Sequence, residues 1–278
     1  MIDTPEIRMV ALDLDGTTLN NRKEFAERTI RAFHRAKDQG VYIVIATGRA
    51  FNSLPEGIFN IKGIEYVVMS NGAKIYDVKK GEIIYENFLP EKSVKLIVDV
   101  IRRENLMVEA FVGGKAYISR NEYDAILDGR ITTRPLEYVK KSRTPVDNVE
   151  SVILENIDTV ENISINYLSD EIKQEKERIL KEIPDVTLTS SFPLNNEIGG
   201  TNTSKAEALN FLMDRLGLDR SNLMACGDSP NDGAMLDLAQ VAVVVENGEP
   251  VIKDKADFIT SSNDDDGVAI AIEKFALK

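Results

Sequence analysis

The chain has 278 residues, enough for one large domain or two ordinary ones, and 43% of them are hydrophobic, as in a soluble globular protein. Its 46 acidic side chains outnumber 34 basic ones, and the net charge of −12 disfavours nucleic acid and anionic membranes as partners, since both require clustered Lys and Arg. A single cysteine, Cys226, and a single histidine, His34, exclude an intramolecular disulfide, a Cys–His metal site and extensive histidine acid–base chemistry.

Proton transfers are therefore left to carboxylates. A reducing, cytoplasmic setting fits the cysteine count. The start, Met1 to Glu6, lacks the basic and apolar regions of a signal peptide, and no apolar run is long enough to span a bilayer.

In chain order, Met9-Val10-Ala11-Leu12 opens apolar, as a buried strand does, and the character changes at Asp13. Asp13 and Asp15 are followed by Gly16, Thr17 and Thr18. If the chain stays extended, alternation puts the two acids on one side, and Gly16 then lets the chain leave sharply. Two like charges so close favour a divalent cation, and oxygen ligands suit Mg²⁺; a carboxylate can also attack phosphorus. A bare Asp-x-Asp after a strand is more often a surface turn, so the pair alone is weak evidence.

Residues 24–39 read as a helix closed by Gly40, with His34 an ordinary member of it. Val41 to Ala46 is a β-branched buried strand ending in Thr47-Gly48-Arg49, and Glu65 to Ser70 is another, ending in Asn71-Gly72. Short connections suggest a parallel sheet with right-handed crossovers. Ala73 to Asp77 and Glu82 to Glu86 form a hairpin-like pair. A helix over 91–104, strands at 106–112 and 115–119, a less regular charged stretch over 121–147, a strand from Asn162 to Leu168, a helix over 170–183 and a strand at 185–192 mix hairpins with helices. This is the pattern of an inserted α+β unit.

The βα pattern resumes after about residue 197. Ser204 caps a helix over 205–216 that ends near Gly217, and a strand from Asn222 to Cys226 leads into Gly227-Asp228-Ser229-Pro230-Asn231-Asp232. A helix over 231–239, strands at 241–245 and 257–260 and a helix over 266–276 complete the chain. Lys205 opens its helix, at the end where the dipole prefers anions, and a neighbouring carboxylate cluster would explain it. Cys226 reads as a small buried apolar residue.

Asp13-Leu14-Asp15-Gly16-Thr17-Thr18-Leu19 resembles the first motif of the haloacid-dehalogenase-like hydrolases, and the string from Gly227 to Asp232 resembles their last. Thr47 and Lys205 fall between them in the family's order; Ala206 stands where the family often has glycine. The insertion after the third strand, Thr47-Gly48-Arg49 and Ser70-Asn71-Gly72 resemble the Cof-type sugar-phosphatase branch.

The resemblance implies an α/β fold. Its core is a Rossmann-like doubly wound parallel sheet made by residues 1–85 and 197–278, with an inserted α+β cap over 86–196. It implies an Mg²⁺-dependent phosphatase acting on a small phosphorylated metabolite, with Asp13 as nucleophile and Asp15 as acid and base. Thr47, Gly48, Lys205 and Asn231 would bind the phosphoryl group. The Asp13 carboxylate, the Asp15 backbone carbonyl and the Asp228 carboxylate would hold the metal, with Asp232 as an outer partner. A phosphomutase of the same branch is the alternative. A metal-dependent glycosyltransferase, for which Lys205 and the Gly227–Asp232 string would be coincidence, and a non-catalytic binding protein rank lower. Substrate and oligomeric state are not legible.

Overall fold

A computed structural model describes residues 6–103, 106–131 and 136–278. The start of the chain through Pro5, residue 104 of the expected helix and part of the charged stretch over 121–147 lie outside the described residues.

The elements are β1 (Met9–Leu12), α1 (Glu27–Asp38), β2 (Tyr42–Ala46), β3 (Ile64–Met69), β4 (Lys74–Asp77), β5 (Glu82–Glu86), α2 (Glu91–Arg103), β6 (Met107–Val112), β7 (Lys115–Ser119), α3 (Arg120–Leu127), α4 (Leu136–Ser142) and β8 (Arg143–Val146). They continue as α5 (Val149–Glu155), β9 (Val160–Asn166), α6 (Asp170–Lys181), β10 (Thr187–Thr189), β11 (Asn195–Gly199), α7 (Lys205–Leu216), β12 (Leu223–Gly227), α8 (Gly233–Leu238), β13 (Val241–Val245), α9 (Pro250–Lys253), β14 (Phe258–Thr260) and α10 (Gly267–Phe275). The chain divides into two compact units, one of residues Met1–Thr47, Glu56–Tyr85 and Ser204–Lys278, the other of Gly48–Pro55 and Glu86–Thr203.

The first unit is built on a sheet in the order β14-β13-β12-β1-β2-β3-β4-β5. The six strands from β14 to β3 run parallel, and β4 turns back antiparallel on β3. Strands such as Tyr-Ile-Val-Ile-Ala and Val-Ala-Val-Val-Val are apolar at successive positions because both faces are covered. On one face Met9, Ala11, Val44 and Ala225 pack on Ala208, Leu209 and Leu212 of α7 and Met235 and Leu236 of α8. The alternate residues Val10, Leu12, Ile43 and Ile45 are equally buried, and α1 and α10 pack together. The α/β fold with a mostly parallel sheet flanked by helices is as the sequence implies.

The second unit has a sheet in the order β10-β11-β9-β6-β7-β8, antiparallel except for β7 on β8. Val94, Ile97, Val98 and Ile101 of α2, Val149 and Ile153 of α5 and Leu180 of α6 cover Val108, Ala110, Ile163, Ile165 and Ile198. Several details differ from the sequence-based expectation. The stretch over 121–147 contains α3, α4 and β8; α5 was not expected; and the strand placed at 185–192 is only the three residues of β10. A polar strand, Asn-Asn-Glu-Ile-Gly, instead fills β11, because its backbone pairs with both β9 and β10.

Candidate active site

The parallel order puts the ends of β1, β2 and β12 side by side, and open α/β sheets bind ligands at such carboxyl ends. The strand β1 stops at Leu12, so Asp13 and Asp15 do not continue an extended run. Asp13 keeps one sheet bond, its N–H donating to the Cys226 carbonyl at 2.9 Å. Gly16 then takes φ = 84°, where other residues are strained, and a Cβ there would lie 2.6 Å from an Asp228 carboxylate oxygen.

Lys205 supplies the centre of the site. Ser204 caps α7, its hydroxyl accepting from the Glu207 N–H at 3.1 Å, and so the helix begins with Lys205. The lysine is fully buried, and its Nζ donates to Asp13 Oδ1 at 2.6 Å and to Asp232 Oδ1 at 2.7 Å. These contacts explain a lysine at a helix start: two carboxylates outweigh the dipole. Gly72 makes room for this start, since a Cβ there would fall 2.1 Å from the Ser204 carbonyl oxygen.

Asp232 is fully buried and uses both oxygens, the second accepting from the N–H groups of Asp228 at 2.9 Å and Ser229 at 3.0 Å. It thus orients the lysine and the Asp228 backbone together. Asp228 accepts from the Thr17 hydroxyl at 2.8 Å, and the Thr18 hydroxyl donates to the Asp13 carbonyl. Neither threonine was singled out from the sequence, although both lie inside the first motif. One carboxylate oxygen each from Asp13, Asp228 and Asp232 lie within 4.8 Å of one another.

Asp15 lies outside that cluster. It is partly buried and pairs with Lys23 at 3.0 Å, a partner the sequence did not indicate. Thr47 is buried at the end of β2; its N–H donates to the Val68 carbonyl at 2.9 Å, and its carbonyl accepts from the Asn71 N–H at 3.1 Å. Asn71, held at φ = 57°, in turn accepts from Asn231 Nδ2 at 3.1 Å, so the loops after β3 and β12 are joined. Gly48 follows Thr47 directly and begins the segment Gly48–Pro55 of the second unit. Cys226 is buried, and burial pushes its thiol well above the usual range, which suits a packing role.

The electrostatics follow from three carboxylates sharing one ammonium. Burial pushes the Asp13 carboxyl well above its ordinary value; Lys205 pulls it down, but Asp232 and Asp228 push it further up. Burial, with Asp232, raises Asp228 to about 6 against the pull of Thr17, Lys205 and a hydrogen bond from Asp13. Burial works against the charge on Lys205, yet Asp13 and Asp232 outweigh it, so the ammonium holds its proton more tightly than usual. A crowded, electron-rich set of hard oxygen donors matches what Mg²⁺ binds. Since Asp232 is committed to Lys205 and two amides, Asp13 and Asp228 are the carboxylates suited to a cation.

Residues 10–272 match the haloacid dehalogenase-like hydrolase family. The chain is similar to the 5-amino-6-(5-phospho-D-ribitylamino)uracil phosphatase YcsE of Bacillus subtilis, at 28% identity over 98% of this chain and 97% of the relative. It is 32% identical to a putative phosphatase of Streptococcus pyogenes over 98% of this chain and 99% of that one. Among solved structures, a haloacid dehalogenase-like hydrolase from B. subtilis is similar with a TM-score of 0.83 and 28% identity, covering 96% of this chain and 99% of its own.

Proposed function

This chain belongs to the haloacid dehalogenase-like hydrolases, in their Cof-type branch, and is a phosphatase; from that premise we propose that it hydrolyses a small phosphorylated metabolite through a phosphoryl group carried on Asp13. The observation that supports this reading is the buried Lys205 ammonium bridging Asp13 and Asp232, next to Asp228.

In the first step an Asp13 oxygen attacks phosphorus, the bond to the leaving oxygen breaks, and protonated Asp15 gives its proton to that oxygen. In the second, water attacks the phosphorus of the aspartyl phosphate, Asp15 takes a proton from the water, and the bond to Asp13 breaks. Lys205, Thr47 and Asn231 hold the non-bridging phosphoryl oxygens, where positioning and charge neutralisation carry most of the acceleration. The Asp13 and Asp228 carboxylates and the Asp15 backbone carbonyl would hold Mg²⁺, which when bound supplies positive charge to the phosphoryl oxygens.

A free aspartic acid has a pKa of about 3.9, so only on the order of one in a thousand is protonated at pH 7. The acid role therefore suits a carboxylate kept off the metal, because a bound cation favours the ionised form of any acid it touches. The position of Asp15 outside the three-acid cluster supports that division of labour.

The test is a panel of phosphorylated metabolites, including 5-amino-6-(5-phospho-D-ribitylamino)uracil and sugar phosphates, assayed with Mg²⁺ and with EDTA. Phosphate release that EDTA stops is the expected result. Conversion of a sugar phosphate to its isomer without phosphate release would make the protein a mutase instead.

A further inference from the structure

The loop that carries Asp13 and Asp15 is gripped at two carbonyl groups by asparagines from the far end of the chain. Asn247 Nδ2 donates to the Gly16 carbonyl at 2.7 Å, and Asn263 Nδ2 donates to the Leu19 carbonyl at 2.9 Å. The two are joined, since the Asn263 N–H donates to Asn247 Oδ1 at 2.9 Å. Asn247 thus uses its amide as both donor and acceptor, which neither Asp nor Ala can reproduce. Asn263 is 8% exposed, whereas Asn247 lies at the surface.

The loops bearing these residues follow β13 and β14. The turn of Asn247 also reaches the second acid-bearing loop: the Glu249 N–H donates to the Asp228 carbonyl at 2.8 Å. One turn therefore holds the backbone of the Asp13–Leu19 loop through Asn247 and the backbone of Asp228 through Glu249. Gly16 has left the strand conformation, so β1 pairing does not fix the loop beyond Asp13; the Thr18 and Leu19 N–H groups close its turn on the Leu14 carbonyl at 3.2 and 2.9 Å, and the asparagine side chains tie that turn to the loops after β13 and β14.

We propose that Asn247 and Asn263 are positioning residues that hold the Asp13–Leu19 loop in register with Asp228 and so set the spacing of the carboxylates suited to a divalent cation. This rests on the metal site of the phosphatase reading. Neither asparagine meets the reacting atoms; both act through the loop. Outer-shell partners of this kind typically change metal affinity or activity by roughly 10–100-fold. The bond that Asn247 donates is solvent-exposed, so its loss should disturb global folding little, and Asn247→Asp keeps an acceptor for the Asn263 N–H.

The experiment measures Mg²⁺ binding to the full, metal-stripped chain by calorimetry, together with the Mg²⁺ dependence of phosphate release, for Asn247→Ala, Asn247→Asp and Asn263→Asp. The expected result is Mg²⁺ affinity weakened roughly 10-fold or more in both Asn247 variants. Activity should be partly restored at high Mg²⁺, with KM for the phosphomonoester and the melting temperature little changed. Asn263→Asp keeps the backbone donor to Asn247 and loses the donor to Leu19, so it carries the test if an Asn247 variant does not fold. Variants that bind Mg²⁺ as tightly as the unaltered chain overturn the inference, even if they melt earlier. If the unaltered chain binds Mg²⁺ but releases phosphate from nothing, the phosphatase reading fails and the binding comparison still decides this one. If the unaltered chain binds no Mg²⁺, the positioning inference falls.

Discussion

Each unit buries a cation against carboxylate, and the two clusters differ in what surrounds the charge. In the second unit Arg143 is paired with Glu109, with Nε and Nη2 both on one Glu109 oxygen at 3.0 and 2.9 Å and side chains 5% and 2% exposed. Arg143 also donates to Ser142 Oγ at 3.0 Å and lies over the rings of Tyr138 and Phe111. Burial opposes its charge, but Glu109 and Tyr138 together outweigh burial, so the guanidinium holds its proton more tightly than usual. In the first unit three carboxylates face one ammonium, an excess of two negative charges. A buried pair of the Arg143 kind is costly to break. The excess beside Lys205 is stable only with protons or a further cation, and a divalent ion would cancel it.

The largest effect is expected from Asp13→Asn, which should lower phosphate release by roughly 10³-fold or more while circular dichroism shows an intact fold. A variant that keeps most of its activity would end the covalent route. Lys205→Met should lower kcat by roughly 10²–10³-fold, as loss of a preorganised donor does. Arg143→Met should instead act on stability. It removes an ion-pair partner of the buried Glu109, at about 3–5 kcal/mol in chemical denaturation, with phosphate release per folded molecule little altered. The double variant Glu109→Gln with Arg143→Met should recover much of that loss, the coupling expected of a pair.

A smaller effect sharpens the contrast through pH. Burial raises Asp228 from 3.8 to about 6, so between those values the folded chain holds a proton that the unfolded chain has released. The contribution of this group to stability is therefore greatest at low pH and is lost as pH rises to about 6 in metal-stripped protein. Mg²⁺ should raise the melting temperature more above pH 6 than below pH 3.8. Equal shifts at both would show that the cation does not compete with this proton. The smallest effect belongs to Lys23→Ala. Its pair with Asp15 joins side chains 49% and 35% exposed, so its loss should cost at most about 1 kcal/mol in denaturant unfolding.

Much of this was legible in the sequence, for definite reasons. The strands over 42–46 and 241–245 are buried on both faces and so carry an unbroken apolar run. Ser204 and Gly217 mark both ends of α7 by their capping chemistry. Lys205 stands at the wrong end of a helix dipole, a mismatch that became a site residue only with the family resemblance, and the structure supplies the carboxylates that offset it. The second unit was less legible. The strand β11 is polar in sequence yet buried, because its burial comes from strands on either side. Four short elements after β7 each bury too few residues to show a period. Spacing likewise gave no sign that Thr17 bonds Asp228 or that Lys23 reaches Asp15, since both contacts depend on where Gly16 turns the chain.

The strand β1 lies between β2, which follows soon after it, and β12, which is made only after the whole second unit. Asp13 and Lys205 are 192 positions apart. On the ribosome the first acid therefore waits, hydrated and unopposed, while most of the chain is synthesised. Parallel pairing between such distant segments closes slowly. No partial product ending before residue 205 can assemble the lysine-bridged acids, so hydrolytic competence would arrive late in the birth of the molecule rather than grow with it.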